Sequence, residues 1–497
     1  MNPIRTLAST SVLFSLLAPA LAMAQLSPPS DVGNQEPGAP MRDERAPFSL
    51  EIGETPASVI PDGGAPVLTL DQLLQRAEAA NGNTDLTVLR EQVVQADNNV
   101  RRAWGLILPQ ITAAATYTRN SNAAAIDFPI FAAGLREEVD PVTGQSNFIP
   151  NQSINLEIQQ LNNWNANITA SMPILLMPAY FGIAAANEAT TLTEQNTTFA
   201  RNELVLGISQ AYYGAVASRR LIEVSYAQVQ VQKEQERVAS ARFEVGEVPK
   251  VDSLRAAVAR IQAEQDLVRA QNAFVATKLA LQQLTGVSEP FDVVEPPQVQ
   301  VPQGSIDELV NTGLENRKDL AASRTAIELA RRTLQSNYWQ FAPVISAQGM
   351  YNWANVTGFS GSNSTWMVAI TASINIFDGG IRYANIRDAR SQKRQAEAQA
   401  LGLARKVSQE VQTALLDLET ARANLVSAEE QVRLANESAE LVQAQYDAGV
   451  ATYLDVTDAY NARFVSQVAV VNNQLNVQVA ALQLSRAIGK FGVSHFP

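Results

Sequence analysis

The sequence predicts a mixed α/β membrane protein. Each chain gives four strands to a β-barrel shared with other copies, and sends long α-helices out beyond the bilayer. Three observations predict this. Two long regions of the chain repeat one another, four short runs alternate apolar and polar side chains beside the tryptophans, and two stretches of about 64 residues keep helical patterning without a proline.

The N-terminus comes first in chain order. Arg5 gives a small positive charge, Leu7 to Leu21 is apolar, and Ala22-Met23-Ala24 fits a small-x-small cleavage site, so residues 1–24 are expected to be an export signal. No cysteine follows the cut, so no lipid can be attached there. Residues 25–66 are rich in Pro, Gly and Asp without periodicity, and are expected to be flexible. No apolar run of 18 or more follows residue 24, so an exported chain of this kind is either water-soluble or a membrane β-barrel.

The tandem copies occupy residues 67–286 and 305–490, separated by a proline-rich linker at 287–304 and followed by a tail at 491–497. Gly246 and Gly449 lie 203 residues apart, and Phe243 with Tyr446, Asp252 with Asp455, and Gly286 with Gly489 keep that offset. Ile168-Thr169-Ala170-Ser171 returns 202 residues later at Ile370 to Ser373, whereas Pro109 and Pro343 lie 234 apart. The first copy therefore carries 32 additional residues between Pro109 and Ile168.

Within each copy the expected order is helix, strand, loop, strand, long helix, tight turn, helix. Trp164, Ala166, Ile168, Ala170, Met172 and Ile174 alternate with Asn165, Asn167, Thr169, Ser171 and Pro173. Trp366 to Ile376 repeats the pattern, and Ile111 to Tyr117 and Ile345 to Tyr351 follow it less cleanly. Runs of about ten residues suit tilted membrane strands; half-buried strands of a soluble sandwich are the competing interpretation. All five tryptophans, Trp104, Trp164, Trp339, Trp353 and Trp366, lie in or beside these runs, as aromatic girdles of membrane barrels do. Four strands cannot close alone in lipid, because two edges would stay unpaired, so the barrel must be shared. Two, three or four chains would each give an even strand number.

At 1.5 Å per residue the proline-free stretches, Tyr180 to Phe243 and Ile381 to Tyr446, reach roughly 95 Å and must project from a bilayer. Leu403, Val407, Val411, Leu415, Leu418, Leu425, Val432 and Ala439 form an apolar stripe at helical spacing. A soluble coiled-coil rod would explain these helices but not the alternating strands.

The turns carry a resemblance. Phe243-Glu244-Val245-Gly246 and Tyr446-Asp447-Ala448-Gly449 end the long helices, and Ile376-Phe377-Asp378-Gly379-Gly380 follows the last strand. With the matching order, spacing and duplication over about residues 67–490, the chain resembles the outer-membrane efflux family typified by TolC. That resemblance implies a trimer, with a twelve-stranded β-barrel in the outer membrane continued by a long α-helical coiled-coil tunnel in the periplasm, the linker and termini forming an equatorial belt.

It also implies site residues. Asp455 and Asp458 fall in the Asp-x-x-Asp positions of the family's constriction at the periplasmic entrance. Their i, i+3 spacing puts both on one helix face, and acidic rings favour cations; the alternative is a pair of solvated acids at a helix N-terminus. Tyr446 matches the latch tyrosine and Asp252 its acidic partner. Ala451 stands where a basic latch residue is expected, which leaves Lys250 as a substitute and Arg255 as a partner for Asp455 or Asp458 across helices. Gly246, Pro249 and Gly449 mark hairpins where adaptor-protein helices dock in the family, or simply build the turns.

No catalysis is expected. The chain has no cysteine and a single histidine, His495, so thiolate sites, disulfides and multi-histidine metal centres are excluded or unsupported. There is no phosphate-binding glycine loop, no cofactor and no metal-spaced cluster. Charged residues are 17% of the chain, below the usual ~25%. The net charge of −12 argues against nucleic acid as a partner. The expected function is the outer-membrane channel of a tripartite efflux or type I secretion system, partnered by a periplasmic adaptor, an inner-membrane pump and outer-membrane lipid. The alternative is an exported structural coiled-coil surface protein.

Overall fold

The computed structural model describes residues 55–79, 82–355, 357 and 361–490. The export signal, residues 25–54, the tail at 491–497 and His495 lie outside the described residues. In chain order the elements are β1 (Val67–Leu68), α1 (Leu70–Glu78), α2 (Thr84–Gly105), β2 (Gln110–Arg119), β3 (Ala124–Val139), β4 (Ser146–Gln159), β5 (Asn162–Leu175), α3 (Met177–Glu244) and α4 (Lys250–Thr285). There follow β6 (Asp292–Val293), α5 (Ile306–Asn316), α6 (Lys318–Trp339), β7 (Val344–Ala354), β8 (Ser364–Ser373), α7 (Ile381–Asp447) and α8 (Tyr453–Ala487). The order α2–β2–β5–α3–α4 parallels α6–β7–β8–α7–α8, with β3 and β4 interposed in the first half.

The strands β2, β5, β7 and β8 form one antiparallel sheet in the order β2-β5-β7-β8. Its register puts side chains of one character on each face. Ala113, Ile168, Tyr351 and Trp366 stand in one row, and Ile111, Ala170, Gly349 and Val368 in another on the same face. The opposite face carries Thr112, Thr169, Met350 and Met367 in one row, and Thr116, Asn165, Asn167 and Asn352 nearby. The apolar face is uncovered: Ile111, Val368 and Ile370 are 71–72% exposed. Sheet edges β2 and β8 have no strand partner among the described residues. β8 stops at Ser373, three residues before the expected Ile376.

The additional residues of the first half are not a plain loop. They form β3 and β4, an antiparallel pair separate from the main sheet. A period-2 pattern broken by a bulge between Ile130 and Leu135 hid them in the sequence.

After β8 the chain turns into α7 through Gly379 and Gly380, at φ 72° and 90°. Two consecutive left-handed residues suit glycine alone. The Asp378 carboxylate accepts from the backbone of Gly380 and Arg382, and from Arg382 Nε at 2.8 Å. Arg382 also lies over the Phe341 ring, so this turn is locked to the end of the α6 segment.

The main core lies where α1, α3, α4 and the β1–β6 pair meet. Leu73, Leu74, Ile208, Tyr212, Phe274 and Phe291 are fully buried there. The Tyr212 hydroxyl lies 3.0 Å from Leu68 O and 2.8 Å from Val294 O, pinning both short strands to α3. Residues 55–66, expected to be flexible, are docked. Ile60 is buried, Gln271 Nε2 donates to Val59 O at 2.7 Å, and Lys278 Nζ bonds the Asp62 carboxylate at 2.7 Å. The proline-rich linker is anchored as well, through buried Val287, Phe291 and Val293. A second core joins α5, α7 and α8 through Leu309, Val411, Leu418 and Leu484.

Candidate functional site

At 68 and 67 residues, α3 and α7 run about 100 Å each. Each folds back into a shorter helix through a tight turn, and the two turns lie together. α3 ends in a Schellman-type cap: Gly246 adopts φ 81°, and Glu247 N donates to Arg242 O at 2.8 Å. Pro249 then caps α4, where its missing N–H is no loss. α7 ends the same way, with Gly449 at φ 75° and Val450 N donating to Gln445 O at 2.8 Å. A Cβ at either glycine meets open space, so backbone conformation is what requires glycine there.

α8 begins with a capping box that sequence patterning missed. Thr452 N donates to Asp455 Oδ2 at 2.8 Å, Thr452 Oγ1 donates to the same oxygen at 2.7 Å, and Asp455 N returns to Thr452 Oγ1. The Thr452 hydroxyl and N–H hold the Asp455 carboxyl below the usual carboxylate value. Asp458 is exposed and has no hydrogen bond or ion pair among the described residues. Both carboxylates face solvent from one side of α8, about 4.5 Å apart along the axis.

Between the hairpins Tyr446 is buried with Ala239, Ala256, Tyr453 and Val456. Its ring meets Tyr453 edge-on, with centroids 5.9 Å apart. Among the described residues its hydroxyl makes no hydrogen bond of full geometry, although Arg242 lies beside it. Burial raises the Tyr446 hydroxyl above its ordinary pKa, against the opposing pull of Arg242, and pushes Tyr453 up to about 12. What reaches across from the first hairpin is Arg242. Its guanidinium lies 4.9 Å from the Tyr446 centroid and bonds Asp447 Oδ1 at 2.7 Å. A polar chain extends this link: Gln443 Nε2 donates to Asp447, while Gln443 Oε1 accepts from Gln235 and Tyr460. The signal for Arg242 in the sequence is its place as the cation in the last turn of α3, before the turn rather than after it.

Other expectations change. Arg255 pairs with Asp252 at 3.5 Å within its own hairpin, not with Asp455 or Asp458, because i, i+3 spacing on α4 brings them together. Lys250 is exposed and makes no hydrogen bond or ion pair among the described residues. Arg463 on α8 lies 4.6 Å from the Tyr460 centroid with its Nε unpartnered. The tryptophans divide into two sets. Trp164, Trp353 and Trp366 stand on the apolar face of the sheet, Trp164 beside Tyr117 with centroids 4.8 Å apart. Trp104 and Trp339 instead end helices α2 and α6, and Trp339 stacks on Phe181 at 5.8 Å.

The comparisons with known proteins agree with this architecture. The family model described as "Outer membrane efflux protein" matches residues 75–287 and 309–490. Outer membrane protein OprJ of Pseudomonas aeruginosa is 26% identical over 319 residues, which is 61% of this chain and 65% of OprJ. The matched region thus spans just under two thirds of that relative. Outer membrane efflux protein BepC of Brucella suis is 25% identical over 417 residues, covering 83% of this chain and 84% of BepC. A crystal structure of a membrane protein from Pseudomonas aeruginosa superposes with a TM-score of 0.69 at 21% identity, over 92% of this chain and 96% of that one, and shows the same fold.

Proposed function

The chain belongs to the outer membrane efflux protein family, and on that premise we propose that three copies share one barrel in the outer membrane and prolong it as a helical tunnel into the periplasm. It is an outer-membrane transport protein. The observation that carries the proposal is the sheet β2-β5-β7-β8: one face is mainly apolar across the register, the other is mainly Thr, Ser, Asn and Gln with Met350 and Met367 among them, and both edges are open among the described residues. In lipid each unpaired edge group costs several kcal/mol, so neighbouring copies must supply the missing partners. A ring of identical head-to-tail contacts closes without leaving an edge. A surface rod would have no use for an exposed apolar sheet, which disfavours the structural alternative.

The helices then form the walls of the duct and the paired turns its periplasmic mouth. Asp455 and Asp458, repeated in three copies, set a cation-attracting constriction there. Arg242 holds the two hairpins together through Asp447 and the Tyr446 ring, supplying from α3 the positive charge that Ala451 lacks. The outer faces of the turns at Gly246, Pro249 and Gly449 receive a periplasmic adaptor, and an inner-membrane pump supplies the energy. The duct makes and breaks no bonds. It serves tripartite efflux or type I secretion, with cargo chosen by the pump. Trp164, Trp353 and Trp366 form the outer aromatic girdle, and Trp104 and Trp339 the inner one.

Reconstitution into planar bilayers tests this. Cation-selective channels are expected, with selectivity reduced in an Asp455→Ala, Asp458→Ala double variant. Unchanged selectivity removes the two carboxylates from the conduction path, and an absence of channels removes the duct.

A further inference from the structure

The β3–β4 hairpin has no role in the duct as described. Its strands of 16 and 14 residues meet through a turn closed by Asp140 N bonding Gln145 O at 3.0 Å. The register gathers Ile126, Phe128 and Leu135 of β3 with Phe148, Ile154 and Ile158 of β4 on one face, interrupted by Gln152 and Glu137. The bulge is what keeps this face in phase. Ile130 opposes Gln152 and Leu135 opposes Pro150, so four unpaired residues, including Gly134 at φ 88°, are absorbed without turning the apolar set to the other side. The six apolar side chains are 48–65% exposed. The opposite face is polar and internally paired, with Asn155 donating to Asp127 at 2.7 Å and Arg136 3.7 Å from Glu138.

A two-stranded hairpin with an uncovered apolar face is marginal in water, and a patch of this kind marks a contact surface. Its position points to the occupant. β3 continues β2, the open edge of the main sheet, and Asn120 N bonds Leu161 O at 2.8 Å at the junction. The hairpin is therefore rooted at the seam where a neighbouring copy must pair. At ~3.3 Å per residue it reaches about 45 Å, against roughly 24 Å across a barrel of twelve tilted strands. Elements tethered to one rim also meet at effective concentrations on the order of millimolar. Residues 124–159 hold five acids and one base, which disfavours an anionic lipid surface as the occupant.

We propose that the β3–β4 hairpins of neighbouring copies pack their apolar faces on one another beyond the outer rim of the barrel, leaving the acidic faces to solvent. This rests on the shared-barrel reading. The chain has no native cysteine, so single cysteines report without background. In isolated outer membranes under mild oxidation, Phe128→Cys should link into dimers within a trimer seen on unheated gels, and Asp127→Cys, on the opposite face, should not. A trimer that Phe128→Cys fails to link overturns the hairpin contact and leaves the barrel intact; absence of any trimer overturns both. A Phe148→Trp variant distinguishes the remaining occupant, since quenching by brominated lipid would assign the face to the membrane and overturn the proposal.

Discussion

Asp455 closes the turn at the start of α8 as well as lying at the proposed duct mouth, whereas Asp458 has no hydrogen bond or ion pair among the described residues. The two acids should therefore separate in experiment. Asp458→Asn should lower cation selectivity in bilayers and leave thermal unfolding unchanged; Asp455→Ala should affect both. The Asp455 carboxyl is held low by the Thr452 bonds, so its capping contribution is full above the unfolded carboxylate value of about 3.9 and is lost as pH falls through the folded value. Asp455 should thus stay charged throughout the neutral range. The link between hairpins gives a second contrast. Among the described residues the Tyr446 hydroxyl makes no hydrogen bond of full geometry, and its ring is the main surface that Arg242 lies against. Tyr446→Phe should leave resting conductance unchanged, whereas Arg242→Ala should raise it. The Arg242–Asp447 pair is partly exposed and worth about 0.2–1 kcal/mol, with a similar share from the ring. Opening should therefore be easier at high salt, and a wild-type conductance indifferent to salt beyond bulk conductivity would count against the link. The turn glycines locate Asp455, Asp458 and Tyr446 in the sequence, and the roles proposed for them rest on the family resemblance. Arg242 was missed because its partner is 205 residues away and no local pattern signals the contact.

At the scale of elements the sheet makes the sharpest demand. Ile168 and Thr169 are neighbours on the central strand β5 but point to opposite faces. Ile168→Arg puts a charge on the lipid face, at a cost of about 2–4 kcal/mol near the midplane, and should abolish assembly in the outer membrane. Thr169→Arg should assemble and shift the channel toward anions. Equal tolerance of both, measured by outer-membrane yield, would contradict the assigned faces. The four main strands were legible because period-2 alternation runs through most of each, with the Pro173–Leu175 register shift confined to the end of β5. The β3–β4 hairpin was not, since a bulge breaks its phase and Pro129 and Pro150 sit in its strands. Residues 55–66 show the other limit of patterning. Their composition reads as flexible, but one buried side chain, Ile60, and the Asp62–Lys278 pair suffice to dock them. Such contacts are tertiary, and a window of sequence does not contain them.

For the whole molecule, a partly buried ion network centred on Arg317 joins the two halves near the middle of α3 and α7. Arg317, 4% exposed, bonds Asp319 and Glu410, and Arg486 reaches Glu410 and, at 2.6 Å, Glu203 of the first half. Burial pushes the Asp319 and Glu410 carboxyls up, but their bonds to Arg317 and its charge outweigh this, so both lie below their ordinary values of 3.8 and 4.5. Groups depressed in the folded state add stability above their unfolded values and lose it as pH falls through the folded ones. The thermal midpoint, followed by circular dichroism, should be level at neutral pH and fall below about pH 4. Arg317→Ala removes the ion-pair partner of Asp319 and leaves Glu410 to Arg486 and Lys406, and should lower the thermal midpoint. The long helices and their hairpins were readable from proline-free spacing, whereas the network that clamps them was not. The number of chains in one barrel decides whether the sheet edges are closed by neighbouring copies. Native mass spectrometry of the protein extracted from outer membranes in detergent should give three times the mass of the mature chain; a monomer or dimer, or extraction without detergent, would contradict the three-chain barrel.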